Sequence, residues 1–593
     1  EFRRVLFRSV LSGLAKEANI YFEFSTNEKV AMEVAATAAA SGLRSFTFMK
    51  HVGMNVASDS FMTTAYSGVN GGMVILSADD PSLFSSQNEQ DTRNYGRLAN
   101  VPILEPSNCQ EVKDMVKYAF DLSEQFKLPV IVRTTTRVSH MRGVVEFGEV
   151  VDNSSEGESH WKKGFFKKNP AQFVPVPAFA KDMHVALVEK MDEINKITNE
   201  SDFNVESYFS QNKKYGVIAS SSAYNYAYDV IRYNNLDIDV LKLGFSYPFP
   251  YDKVADFVKD YDEVFIVEEV DPIIEKDTLV AIGKNNLNTV VHGKLDGTFP
   301  VYHEFNSDIV ANGFNKYLNF IEENTDDYSD NLLNLQEEIP SRAPVLCAGC
   351  PHRAMYYGVN KALEELGIPL KDAVFASDIG CYTLGINPPY NAADYLLSMG
   401  SSVGDGCGFS IATNQKVISF IGDSTFFHSG ISPLINAVHN KNNFILTVLD
   451  NRITAMTGGQ PNPGIPVDGM GDDAPEISIR KLALACGCNY VRVINPLNLD
   501  QVVKTYKEAL ERDEVCVIIA KAPCTLIKGK TRKPPVNYID SNCNGCNKCV
   551  SELACPAISK DGGKIAIDPS MCDGCGVCIQ VCKYGALEAG RGE

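Results

Sequence analysis

The chain has little that would take it to a membrane or to nucleic acid. No apolar run among its 593 residues is long and uncharged enough to span a bilayer. Basic residues are in deficit. Against 74 aspartates and glutamates stand 55 lysines and arginines, a net charge of -19 and the wrong sign for a general nucleic-acid footprint. Tryptophan occurs once, and the scattered aromatics say nothing direct about a ligand. No short-period repeat is visible. The length predicts about four domains of ordinary globular composition.

Cysteine is plentiful, with 17 in all. Eight of them crowd the last stretch in two runs. The first reads Cys543-x-x-Cys546-x-x-Cys549, then five residues, then Cys555-Pro556. The second reads Cys572-x-x-Cys575-x-x-Cys578, then three residues, then Cys582. Thiolates at this pitch on a turn-rich loop converge on one cubane of iron and sulfide, and the fourth cysteine of each run ligates the cluster of the other. The quartets expected are Cys543, Cys546, Cys549 and Cys582 for one 4Fe–4S cluster, and Cys572, Cys575, Cys578 and Cys555 for the second. The alternatives are a zinc ribbon and a disulfide knot, but zinc has no use for an interlocked layout. The other nine cysteines form no secreted disulfide framework, so a reducing cytoplasm is the expected compartment.

Residues Glu1–Ser9 are basic and aromatic with no small-residue cleavage site, a poor signal peptide. They look like a translated sequencing-adapter read and are expected to be an artefact. From Val10 to about Val151, helical pattern alternates with apolar strands at Ser45–Met49, Gly72–Ser77 and Leu128–Arg133, and an alanine-lined helix is predicted over Asn27–Gly42. The stretch 151–170 is charged and loop-like. Strands at Tyr215–Ser220, Ile238–Leu243 and Glu263–Glu268 mark a second α/β domain. An acidic linker is predicted near 322–338. Residues 347–524 form a third α/β unit with strands at Lys416–Ile421, Phe444–Leu449 and Cys516–Ala520. A basic Pro-containing linker, 528–535, leads to the cysteine tail.

In the third unit one strand ends in Gly422-Asp423-Ser424, and the next ends in Asp450-Asn451-Arg452-Ile453. An Asp and an Asn at adjacent strand ends can hold one Mg²⁺, which takes a few protein oxygens plus phosphate oxygens. The carboxyl ends of parallel strands are where α/β sheets bind ligands, and glycines let backbone amides approach a diphosphate. A lone Gly-Asp is more often a turn; the downstream Asn makes the signal much stronger. The pair resembles the thiamine-diphosphate signature. That resemblance implies metal ligation by Asp423, Asn451 and the Ile453 carbonyl. It also implies a glutamate from another domain that hydrogen-bonds the aminopyrimidine. Glu28, opening the alanine-rich helix, is expected in that role; the plainer reading is a helix N-terminal acid stabilised by the dipole.

A further Cys-x-x-Cys, Cys347 with Cys350, heads the third unit. Two cysteines at this spacing make half a metal site, and Cys381 and Cys524 are expected to complete it. The plainer reading is a helix-start motif with idle thiols. Cys109, Cys407, Cys486, Cys488 and Cys516 read as packing residues.

Taken together, Cys347–Arg353, Lys50–Asn55, Ser86–Gln90, Asp378–Leu384 and the cysteine tail resemble the 2-oxoacid:ferredoxin oxidoreductases. Within them they resemble the alpha subunits of indolepyruvate-type enzymes, and the resemblance runs from about Leu11 onward. It implies an α/β fold: two thiamine-diphosphate-binding-type doubly wound domains, an intervening α/β domain, and a C-terminal bacterial-type double-cluster ferredoxin domain. The boundaries expected are 1–9 for the artefact, 10–160 for a pyrimidine-type domain and 170–320 for a transketolase-C-terminal-like domain. They continue with 340–530 for a diphosphate-type domain and 536–593 for the ferredoxin domain. The cofactors implied are thiamine diphosphate, Mg²⁺, two 4Fe–4S clusters and, next to the thiamine, a third held by Cys347, Cys350, Cys381 and Cys524. The reaction implied is oxidative decarboxylation of aryl-2-oxo acids, with coenzyme A taking the acyl group and ferredoxin the electrons. A smaller beta subunit is the implied partner, in an alpha2beta2 assembly with no nucleic acid and no membrane. Other 2-oxo acids (pyruvate, branched-chain, 2-oxoglutarate), or an electron-transfer subunit with an inactive thiamine site, remain alternatives. Members of the family begin with a strand, a helix and a Tyr-Pro-Gly-Thr-Pro-like turn. None of these precedes Glu28, so an N-terminally truncated member is expected.

Overall fold

The computed structural model describes residues 10–148, 163–320, 344–527, 529, 532–561 and 564–590. The leading segment 1–9, the acidic linker near 322–338 and parts of the stretches 151–170 and 528–535 lie outside the described residues. The chain divides into two compact units, 27–333 and a second made of 1–26 with 334–593.

The first unit carries two sheets. Its strands are β1 (Ser45–Lys50), β2 (Met73–Ala78), β3 (Ile103–Leu104), β4 (Val130–Thr134), β5 (Asn204–Ser207), β6 (Tyr215–Ala219), β7 (Ile238–Leu243), β8 (Phe245–Tyr247), β9 (Glu263–Val267) and β10 (Val290–His292). One sheet runs β1-β2-β4-β3-β8 and the other β10-β9-β6-β7-β5. The sequence predicts β1, β2, β4, β6, β7 and β9; of these β4, β6 and β7 are buried throughout, as fully covered parallel strands are. The two- to four-residue strands β3, β5, β8 and β10 are too short to carry a period. β8 leaves the second domain and pairs antiparallel with β3 of the first.

A buried charge network joins these two sheets. Arg93 donates to Asp91 Oδ2 at 2.6 Å and to Glu268 Oε2 at 2.7 Å, and Arg133 donates to Asp79 Oδ2 and Glu105 Oε2, both at 2.6 Å. Arg93, Arg133 and all four carboxylates are buried. Breaking such a pair from one side strands a charge in low dielectric, which costs about 3–5 kcal/mol.

The helix predicted over Asn27–Gly42 runs Glu28–Ala40. Asn27 caps it, its Oδ1 accepting from Val30 N–H at 2.9 Å, a bond worth about 1 kcal/mol. Met32, Ala35, Ala39 and Ala40 form its buried face.

The second unit is built on one parallel sheet. Its strands are β11 (Ala373–Ala376), β12 (Lys416–Gly422), β13 (Ile445–Asp450), β14 (Tyr490–Ile494) and β15 (Cys516–Lys521), in the order β11-β12-β13-β15-β14. The described residues 10–26 group with this unit. Ser12 Oγ donates to the Gly469 carbonyl at 2.5 Å.

The tail adds two small antiparallel ladders. It does not hang from its linker alone. Val536, Leu553, Ile558, Val577 and Val581 share one apolar cluster with Ala354 and Leu499 of the α/β part. Gln580 clamps the seam, accepting from Leu499 N–H at 2.9 Å and donating to the Leu497 carbonyl at 2.8 Å. Of the cysteines read as packing residues, Cys407, Cys488 and Cys516 are buried, while Cys109 and Cys486 are partly exposed. Among the described residues, no helix is long and apolar enough to cross a membrane.

Candidate functional site

Adjacent parallel strands β12 and β13 pair Gly422 with Leu449. The residues that follow, Asp423 and Asp450, therefore leave the sheet side by side at its carboxyl end. Both are buried. Burial, with the Asp450 charge beside it, pushes the Asp423 carboxyl up to about 7. Burial likewise raises Asp450, against the pull of Arg452 and Lys521. Two buried carboxylates side by side call for positive charge. A divalent cation would supply it, and the oxygen-rich donor set suits Mg²⁺.

Asn451, also buried, turns its Oδ1 to the Ile453 N–H at 3.2 Å. Between them Arg452 has φ 65°, a left-handed conformation unusual for a bulky side chain. Such outliers persist where surroundings over-determine them, often at functional sites. Sequence reasoning named Asp423, Asn451 and Ile453 but passed over Asp450. It also passed over Asn462, whose Nδ2 donates to Asp423 Oδ2 at 3.0 Å. The strand register carries the first signal; nothing local in the sequence carries the second.

Gly422 is held without a side chain by Tyr382. A Cβ there would stand 2.5 Å from the Tyr382 ring. Tyr382 Oη shares a hydrogen with Thr425 Oγ1 at 2.7 Å, just past Ser424. Asp378 anchors the same floor, accepting from the Gly400 and Ser402 amides at 2.7 and 3.0 Å. Burial pushes its carboxyl up to about 6 despite those donors.

The cysteines fall into groups. One cavity is ringed by Cys555, Cys572, Cys575 and Cys578, with Cys350 on its wall. Burial pushes the Cys578 thiol up to about 12, with the Cys575, Cys555 and Cys572 thiolates adding to it. Cys549 is likewise raised by burial, and the thiolates that add to this are those of Cys582, Cys546 and Cys543. Cys555 of the first run thus lines the same cavity as Cys572, Cys575 and Cys578 of the second, and the Cys549 charge also reaches Cys578. Among the described residues, no three His, Cys, Asp or Glu side chains converge closely enough for a single ion. Thiols spread around a cavity are the layout a cubane needs, so these residues fit iron–sulfur clusters.

Cys350, pushed up to about 12 by burial, has Cys347 and Cys381 as its thiolate neighbours. Cys381 precedes Tyr382, which packs on Gly422. Cys524 donates its N–H to the Asn451 carbonyl at 2.9 Å. The Cys347 and Cys381 charges thus act on Cys350, while Cys524 is tied through its backbone to Asn451.

In the first unit, Glu28 lies half-buried over Gly53, in the helix His51–Ser67. A Cβ on Gly53 would come within 2.7 Å of Glu28 Cγ. Sequence reasoning quoted Lys50–Asn55 as a motif but gave Gly53 no role. Nearby, His51 Nε2 is 3.0 Å from the Asn88 carbonyl, joining two of the quoted motifs.

Family models match three parts of the chain. Residues 378–520 match "Thiamine pyrophosphate enzyme, C-terminal TPP binding domain". Residues 11–210 match "Pyruvate flavodoxin/ferredoxin oxidoreductase, thiamine diP-bdg". Residues 535–583 match "4Fe-4S dicluster domain". The chain is 55% identical to the indolepyruvate oxidoreductase subunit IorA of Methanothermobacter marburgensis, over 98% of this chain and 92% of that one. It is 41% identical to the IorA subunit of Pyrococcus horikoshii, over 98% and 91%. A solved 2-oxoglutarate:ferredoxin oxidoreductase from Magnetococcus marinus aligns with 32% of this chain and 67% of its own, at 21% identity and a TM-score of 0.29. That structural likeness is too slight to carry an argument. On the two sequence relatives and the three matched models, the chain belongs to the indolepyruvate oxidoreductase IorA family, thiamine-diphosphate-dependent 2-oxoacid:ferredoxin oxidoreductases.

Proposed function

We propose that this chain is the thiamine- and cluster-bearing subunit of an enzyme that oxidises aryl-2-oxo acids such as indolepyruvate. The balance is one 2-oxo acid anion, one coenzyme A and two oxidised ferredoxins, giving one aryl-acetyl-coenzyme A, one CO₂, one proton and two reduced ferredoxins. The observation that carries the reading is the joint presence in one unit of a buried carboxylate pair at the ends of β12 and β13 and a cavity ringed by thiols.

Asp423, Asn451 and the Ile453 carbonyl would hold Mg²⁺, and Gly422 and Ser424 would face the diphosphate. Thiamine diphosphate bound there would supply the nucleophile for the keto carbon and the electron sink for the bonding pair that CO₂ leaves behind. Asp450 would add negative charge near a bound Mg²⁺, and Asn462 fixes the Asp423 carboxylate by donating to it. Glu28 is proposed as the carboxylate that hydrogen-bonds the aminopyrimidine, its side chain seated over Gly53. Electrons leave singly. Cys347, Cys350, Cys381 and Cys524 are proposed for a proximal cluster, and the two interlocked tail quartets for the pair that passes electrons to ferredoxin.

The organisation proposed keeps the pyrimidine-type (10–160), transketolase-C-terminal-like (170–320), diphosphate-type (340–530) and ferredoxin (536–593) domains. The partner proposed is a beta subunit, in an alpha2beta2 assembly in the cytoplasm. The relatives' naming as subunits supports a partner, and the net charge of -19 is in keeping with no nucleic-acid role. The test is an anaerobic assay of the chain with its partner subunit, thiamine diphosphate and Mg²⁺. Reduction of an artificial dye should require both an aryl-2-oxo acid and coenzyme A. Dye reduction by pyruvate or 2-oxoglutarate in preference to every aryl acid would reject the substrate class.

A further inference from the structure

Arg353, in the first turn of the helix Pro351–Glu365, is 4% exposed. Its Nη1 donates to Tyr390 Oη, the Leu553 carbonyl and the Ala554 carbonyl, each at 2.6 Å. Its Nη2 donates to the Leu346 carbonyl at 2.6 Å and the Cys347 carbonyl at 3.1 Å. Every acceptor is neutral. Among the described residues Arg353 makes no ion pair, and its buried Nε–H has no acceptor. The other two deeply buried arginines among the described residues, Arg93 and Arg133, are each matched to carboxylates. A buried guanidinium with neutral partners alone is costly, because carbonyl dipoles do not cancel its charge.

Its position explains the exception. Arg353 lines the cavity ringed by Cys555, Cys572, Cys575 and Cys578, with Cys350 on the same wall. Two of its acceptors, Leu553 and Ala554, immediately precede Cys555, and two others, Leu346 and Cys347, belong to the turn of the Cys347–Cys350 pair. One guanidinium therefore clamps two turns that deliver cysteines from distant parts of the chain. Ala554 is held at φ 42°, a left-handed conformation that alanine rarely adopts, and its carbonyl is one of those Arg353 grips.

We propose that Arg353 is the fixed counter-charge and N–H donor for the cubane held by Cys555, Cys572, Cys575 and Cys578, and that it raises that cluster's reduction potential. The inference rests on the cluster assignment made above. A cubane with four thiolates is anionic and gains one more negative charge when it takes up an electron. A fixed positive charge beside it favours the reduced form, and hydrogen bonds to the sulfurs act in the same direction. No bond forms or breaks: the electron arrives from substrate oxidation and leaves for the acceptor. Arg353 is a positioning and tuning residue, not a catalytic one.

The test is a redox titration of the cluster-loaded chain followed by electron paramagnetic resonance, with iron content measured on each sample. In Arg353→Gln one cluster should be harder to reduce. At its wild-type midpoint, the ratio of reduced to oxidised form should fall about tenfold, equivalent to about 59 mV for a one-electron couple. Arg353→Lys, which keeps the charge, should shift less. Should Arg353→Gln fail to assemble, wild-type protein grown with heavy-nitrogen-labelled arginine is read by pulsed resonance in the reduced state. An arginine nitrogen coupling that is absent from Arg353→Lys supports the proposal. An iron-replete Arg353→Gln whose clusters all titrate as in wild type overturns it, as does a reduced wild type with no arginine nitrogen coupling. Wild-type protein that holds no cubane in the tail would overturn the cluster assignment itself, a result visible in the iron analysis alone.

Discussion

Glu28 and Gly53 are matched to each other: a methyl group on Gly53 would stand 2.7 Å from Glu28 Cγ and 3.0 Å from its Oε1. Gly53 sits in a helix, where glycine costs about 1 kcal/mol against alanine. Its absence of side chain is what gives the Glu28 carboxylate its seat.

Gly53→Ala should therefore gain helix propensity yet damage turnover. The added methyl displaces Glu28, and thiamine-dependent turnover should fall at least about tenfold, roughly 1.4 kcal/mol in the barrier. Glu28→Gln should bind thiamine diphosphate and lose most turnover. Steady-state rates with cofactor binding measured by calorimetry check both. Wild-type turnover in either variant would remove Glu28 from the mechanism.

Asp423→Ala should abolish retention of Mg²⁺ and thiamine diphosphate while the visible absorbance of the tail clusters stays intact. Asn462→Ala should weaken retention by a smaller factor, since it removes only the donor that orients Asp423. A neutral hydrogen bond of that kind is worth about 0.5–1.5 kcal/mol. Cofactor content after gel filtration reads both effects.

The cysteine groups predict iron counts. Three cubanes correspond to about twelve irons per chain and the tail pair alone to about eight. Cys381→Ser should cost about four irons and leave the tail's spectrum unchanged. Cys555→Ser should perturb the cluster of the second run, and Cys582→Ser that of the first. An effect of Cys582→Ser on its own run would break the interlocked assignment.

Arg93→Met leaves Glu268 buried without its guanidinium and Asp91 with Arg133 alone, at 3.6 Å. The first unit should lose about 3–5 kcal/mol. Hydrogen exchange in strands Val130–Thr134 and Glu263–Val267 should quicken accordingly, while the second unit's strands stay protected. Unchanged exchange in the first unit would mean the network is not what joins its two sheets.

Much of this was legible in the sequence where chemistry writes a local pattern. The cysteine runs, the Gly422–Asp423 strand end and the Asn27-capped helix each announce themselves through spacing or period. The central strands were legible for the same reason, as continuous apolar runs. What stayed hidden depends on register and packing. Asp450 becomes Asp423's neighbour only through the pairing of β12 with β13, and Asn462 arrives from a loop with no signature. Arg353 lay in plain view beside the Cys347–Cys350 motif. Its meaning needs the docking of the tail, since two of its acceptors are some two hundred positions away. The tail's shared core with Ala354 and Leu499 was equally invisible, because the linker is the only connection that sequence reveals.

The central claim is that this chain draws electrons from an aryl-2-oxo acid through thiamine and into its own clusters. The most direct test is anaerobic mixing of the complex, loaded with thiamine diphosphate and Mg²⁺, with indolepyruvate and coenzyme A and no external acceptor. The clusters should become reduced, as read by electron paramagnetic resonance, with release of CO₂ and formation of the aryl-acetyl thioester, and Asp423→Ala should abolish all three. Clusters that stay oxidised in the fully loaded wild-type complex, or that are reduced equally in Asp423→Ala, would contradict the account.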